Sequence, residues 1–155
     1  MTVTLTWGEF AVATLVASFR MGRALRRRAQ EPHGKPAERG EWEVVVEGCA
    51  AEMAAAKALK LYWSDSPELD YDGDIGGGFH VRSTDLADGH LILYDRDPAD
   101  AYFVLVTGRA PIFDVRGFIV ARDGKQDEYR SNGRLRTDGW MVPQAALSPI
   151  EELLW

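Results

Sequence analysis

Four side chains between positions 52 and 82 are of types that handle charge. Glu52 lies in an alanine-rich run, Asp74 in an acidic turn ahead of an apolar run, and His80 and Arg82 sit one residue apart on that run. Carboxylates hold hard divalent cations through oxygen, and arginine presents a rigid fork of donors that suits phosphate or carboxylate. If the run is a strand, alternation puts His80 and Arg82 on one face and Val81 on the other. Gly76, Gly77 and Gly78 would let a backbone or a phosphate come close to Asp74. Plainer readings stand beside these: a solvated acidic turn for Asp74 and a hydrogen-bonded strand histidine for His80. The stretch Asp70-Tyr71-Asp72-Gly73-Asp74 offers oxygens at alternate positions but lacks the twelve-residue calcium-loop pattern.

The elements that must position these residues follow from periodicity. Thr6-Trp7-Gly8-Glu9 has capping-box spacing, which predicts a helix over 7–30 with Phe10, Val12, Ala13, Val16, Ala17, Met21, Ala24 and Leu25 on one stripe. Residues 31–40, rich in Pro, Gly and charge, read as a loop. A second helix is expected over 41–63, with recurring alanines that imply close packing against a sheet. Its start is open, because Val44-Val45-Val46 is β-branched and Gly48 weakens a helix.

From Asp74 onward the period becomes two. Strands are expected at 79–84, 90–94, 102–107, 113–122 and 140–142, with one or two helical turns at 124–131. A C-terminal helix over 148–155 would start with Pro149 at its first position. This order reads as an α+β fold, a single domain with helices packed on a mixed central sheet: N-terminal helix 7–30, core 41–147 and C-terminal helix 148–155.

The 155 residues, 46% of them hydrophobic, suit one domain with its own core. The apolar stretch Phe10–Phe19 is far too short for a bilayer, and no secretory leader pattern is found, so the expected compartment is the cytoplasm. A lone cysteine, Cys49, reads as a packed thiol, and the scattered His33, His80 and His90 argue against zinc. The net charge of −6 and pI near 5.1 exclude a protein that coats nucleic acid through bulk charge. Arg20, Arg23, Arg26, Arg27 and Arg28 nevertheless form one basic run, either the wet face of a helix end or a phosphate contact.

The chain resembles a group of small phage proteins that look like members of the PD-(D/E)XK, restriction-endonuclease-like, nuclease superfamily. The resemblance rests on Val46-Glu47-Gly48-Cys49-Ala50-Ala51-Glu52-Met53, Ala56-Lys57-Ala58-Leu59, Asp74-Ile75-Gly76-Gly77, Val81-Arg82-Ser83-Thr84, Leu91-Ile92, residues 103–108 and 117–119, Asp123, Lys125, Val142-Pro143-Gln144 and Ala146-Leu147. It implies a restriction-endonuclease-like core and metal-dependent phosphodiester hydrolysis on DNA in the cytoplasm of a phage-infected host, with a homodimer as one arrangement. By that likeness Asp74 is the principal metal ligand, Glu52 the helix carboxylate, His80 the second ligand position and Arg82 the basic position, with magnesium or manganese as the ion. Two positions depart from the pattern, which has an acidic residue or Gln at 80 and Lys at 82. Imidazole favours manganese over magnesium, and arginine is too basic to act as a general base. A non-catalytic protein that keeps the core and engages nucleic acid or a host protein is the alternative.

Other substrate-binding candidates are Arg23, Arg27, Lys57 and Gln144. Lys57 lies about 140° around the helix from Glu52, off its face. The Gln144 amide, after Pro143, could bind backbone groups or a base.

Overall fold

The computed structural model describes residues 1–30, 40–63, 73–76, 78–135 and 138–154, the side chains of 27–30 excepted. The Arg27 side chain and the acidic residues 65–72 lie outside that description.

Helix α1 spans Trp7–Gln30 as expected, and its start is the capping box: the Thr6 amide donates to Glu9 Oε2 at 2.6 Å and the Glu9 amide to Thr6 Oγ1 at 3.3 Å. Ala13, Val16, Ala17 and Met21 are buried, whereas Val12 and Leu25, expected on the same stripe, stay about half exposed. Helix α2 spans Glu41–Leu59, so the valine triplet is helical. It stops four residues short of the expected end because Lys60 turns left-handed and its amide caps the carbonyls of Ala56 and Lys57. Alanines 50, 51, 54, 55, 56 and 58 are all buried; their small side chains let α2 pack against α1 and the sheet at once.

The main sheet has the order β1-β5-β4-β2, built from β1 (Thr2–Thr4), β2 (Phe79–Thr84), β4 (Tyr102–Arg109) and β5 (Ile112–Val120). β2 runs parallel to β4, and the other pairs are antiparallel, which makes the sheet mixed. β3 (Leu91–Leu93) pairs with β6 (Trp140–Val142) in a separate two-stranded sheet. β1 was not expected: three residues before a strong helix signal are too few to display a period. The helix α3 (Ala121–Gly124) takes the last residues expected in β5, and a 3-10 turn follows at Asp127–Tyr129.

Two cores lie on opposite faces of the main sheet. One holds Val81, Val104, Val106 and Val115 against α2, with Val16 and Ala17 of α1; the other holds Phe103, Leu105 and Ile119 against Leu91, Leu93, Trp140 and Val142. At the C-terminus the expected helix is only a 3-10 turn, Ile150–Leu153. Ser148 is held extended by exchanging backbone hydrogen bonds with Phe118, at 3.0 and 2.9 Å. Among the described residues no helix is long and apolar enough to cross a membrane.

Candidate functional site

Glu52 sits on the α2 face that meets α1, with 8% of its surface exposed. Arg20 of α1 reaches it in fork geometry, Nη1 to Oε1 at 2.7 Å and Nη2 to Oε2 at 2.8 Å, and the Trp63 indole N–H donates to Oε2 at 3.1 Å. Burial pushes the Glu52 carboxyl above its ordinary range. The Arg20 bonds and charge act the other way, and the nearby Asp74 charge adds to the rise. For Arg20, burial opposes its charge but is outweighed by Glu52, so its proton is held more tightly than usual. Burial, reinforced by the Glu52 charge, pushes the neighbouring Cys49 thiol up to about 11.

Asp74 lies at the exposed edge of the sheet, where β2 is the outermost strand. Its Oδ2 accepts the Val81 amide at 2.7 Å, satisfying an edge donor, and its own amide donates to Phe79 O at 2.8 Å. Gly73 makes this turn possible: its φ is 103°, and a Cβ there would come within 2.7 Å of the Gly78 carbonyl carbon. His80 Nδ1 stands 3.9 Å from Asp74 Oδ2, and its ring stacks on Phe103 with centroids 4.9 Å apart.

Arg82 shares the His80 face, as alternation required, and that face points away from α2 into the second core. The guanidinium stands 4.9 Å from the Phe103 ring centroid. Its Nη2 donates to both Asp97 oxygens, at 3.0 and 3.1 Å, and its Nε to Ile92 O at 3.2 Å. Asp97, itself buried, also accepts the Tyr94 amide at 2.9 Å, and Lys125 Nζ donates to the Asp97 carbonyl at 2.6 Å. Arg82 is therefore enclosed in an ion pair rather than turned toward a phosphate beside Glu52.

The remaining candidates are separate. Lys57 donates to Glu9 Oε2 at 2.9 Å and to Thr4 O at 3.1 Å, tying α2 to the start of α1 and to β1; its position around the helix takes it from Glu52. The Gln144 amide donates to the carbonyls of Ala87 and Gly89, both at 2.9 Å, and pins the loop before β3. Arg23 is half-buried on α1. Neither ion-pair partner was assigned from the sequence, which put Arg20 in the basic run largely off the apolar stripe. Arg20 follows Val16 and Ala17 at helical spacing, so membership of the buried stripe could have been read. Asp97 lies in the Asp-Arg-Asp-Pro turn, where only tertiary structure shows that it faces inward.

The donors present decide whether the ion implied by the resemblance fits. Among the described residues no three His, Cys, Asp or Glu side chains are grouped so as to hold a metal. Glu52 presents both oxygens to a guanidinium, His80 and Arg82 lie on the opposite face of the sheet, and Asp74, at the edge between them, gives one oxygen to the Val81 amide and stands 3.9 Å from His80 Nδ1. This arrangement does not fit a divalent ion held jointly by Glu52, Asp74 and His80. No protein-family profile, curated protein or solved structure matches the chain.

Proposed function

We propose that this chain is a binding protein with a restriction-endonuclease-like core that engages DNA without hydrolysing it. One observation carries this reading: Arg20 provides the positive charge beside Glu52 that a metal would otherwise bring. Hydrolysis of this type needs carboxylate oxygens turned toward a divalent ion and a cation beside the same phosphate. Here Glu52 and Arg82 are each neutralised in a separate pair, Arg20 with Glu52 and Arg82 with Asp97. The basic run that ends α1, of which Arg26 is exposed, supports contact with phosphates. With a net charge of −6 the contact would be local and steeply salt-dependent.

A second reading, hydrolysis, draws support from Asp74, whose charge is felt at Glu52 and which lies 3.9 Å from His80. One experiment separates the two. Labelled duplex and single-stranded DNA are titrated with protein at salt from about 50 to 200 mM, and plasmid is incubated with protein in Mg²⁺ or Mn²⁺. The binding reading expects salt-sensitive binding weakened by Arg26→Glu, and intact plasmid. Metal-dependent cleavage that disappears in both Asp74→Asn and Glu52→Gln would establish hydrolysis instead, and absence of binding at the lowest salt would remove DNA as the partner.

A further inference from the structure

Asn132 is the only asparagine in the chain, and a glycine follows it. The two residues form the exposed tip of a turn over 131–134. Both are left-handed, Asn132 at φ 48° and Gly133 at φ 83°, and the Arg134 amide closes the turn by donating to Ser131 O at 3.0 Å. This is the pattern of the two-residue I′ turn, for which Asn-Gly is a preferred sequence. Among the described residues neither the Asn132 side-chain amide nor the Gly133 backbone amide has a hydrogen-bond partner. A Cβ on Gly133 would meet nothing within 4 Å, so the nitrogen beside it is unhindered.

We propose that Asn132-Gly133 is a site of spontaneous covalent modification, a deamidation that needs only water. The Gly133 nitrogen bonds to Asn132 Cγ and gives up its proton; the Cγ–Nδ2 bond breaks, and ammonia leaves with that proton. Water then opens the five-membered imide at either carbonyl, leaving aspartate or isoaspartate, and nothing is oxidised or reduced. One exposed hydrogen bond closes the turn, so the rotation that brings the two atoms together costs little. The Asp-Gly pairs among the described residues are guarded: the Gly89 amide donates to Leu86 O and the Gly139 amide to Asp138 Oδ1, both at 3.0 Å, and Gly124 is buried in α3. The product places a carboxylate where the turn was neutral. Asn132 lines a cavity of about 580 Å³ with Arg130, Gly133, Leu135 and Asp138. Arg130 stands 4.2 Å over the Trp140 ring and donates to Asp138 at 3.3 Å, a long bond that a second carboxylate on the same cavity would contest.

The test holds the native full chain at mildly alkaline pH in ammonia-free buffer, beside a sample in urea and beside Asn132→Gly, which keeps a left-handed turn without the reactive amide. Isoelectric focusing, released ammonia and peptide mapping follow the reaction. The native wild type is expected to gain a species one charge more negative, to release one ammonia per chain converted, and to carry the change at residue 132, at a rate close to that in urea. Asn132→Gly should lose both signals. Native protein that stays unchanged while the urea sample converts would mean that the fold protects the turn and would overturn the proposal. An acidic species that forms equally in Asn132→Gly would overturn it as well.

Discussion

Arg20 and Glu52, 32 positions apart in the chain, close a bidentate ion pair at 2.7 and 2.8 Å that is largely sealed from water and joins α1 to α2. Removing one member strands the other charge without its counterion, which is the costly event in a buried pair. Arg20→Met and Glu52→Leu should each lower the free energy of unfolding by about 3 kcal/mol, and the double variant by less than the sum of the two. Urea denaturation of the three variants measures this; additive losses would mean that the pair is not coupled.

Asp97 holds the second pair. Its carboxylate accepts from Arg82 and from the Tyr94 amide while nearly buried, so Asp97→Ala should cost about 3 kcal/mol. The same substitution should leave DNA affinity unchanged in the fraction that folds, because Arg82 points into the second core. A large loss of affinity in folded Asp97→Ala protein would instead make Arg82 part of the binding surface.

Acid should act through the start of α1. The Glu9 carboxyl is held below its ordinary value of 4.5, first by the hydrogen bond from Lys57 and then by the Thr6 amide. A carboxyl with a lowered folded-state pKa contributes stability that is present above its unfolded value and is lost as pH falls through the folded value. The melting temperature of wild type should thus decline below about pH 4.5, and Glu9→Gln should remove part of that decline. Identical pH profiles for the two proteins would refute the link.

The Cys49 thiol, buried and shifted to about 11, is almost wholly protonated at neutral pH. Alkylation by iodoacetamide should be very slow in the native protein and fast in urea. Rapid native labelling would mean that α1 and α2 separate readily.

Much of the local order was legible in the residues. Thr6 and Glu9 announced the start of α1, the alanines of α2 announced a close neighbour, and the alternation at 79–84 correctly put His80 with Arg82 and opposite Val81. β1 escaped because three residues carry no period, and the C-terminal helix shrank because Ser148 is held extended by Phe118. Lys57 and Gln144 are hydrogen-bonding residues whose partners, Glu9 with Thr4 and the Ala87–Gly89 loop, lie more than 40 residues away and leave no local mark.

Sequence alone determined which residue types lie near one another along the chain and which of them share a face of a helix or strand, because those periods are properties of the backbone. Tertiary structure decided what covers each face. The pairing of β2 with β4 set His80 and Arg82 on the side of Phe103, while α2 covered the side of Val81, so Glu52 and Arg82 ended in different layers. The charge on each was then balanced by the nearest opposite charge that folding supplied, Arg20 for one and Asp97 for the other, since a buried ion without a counterion is too costly to keep.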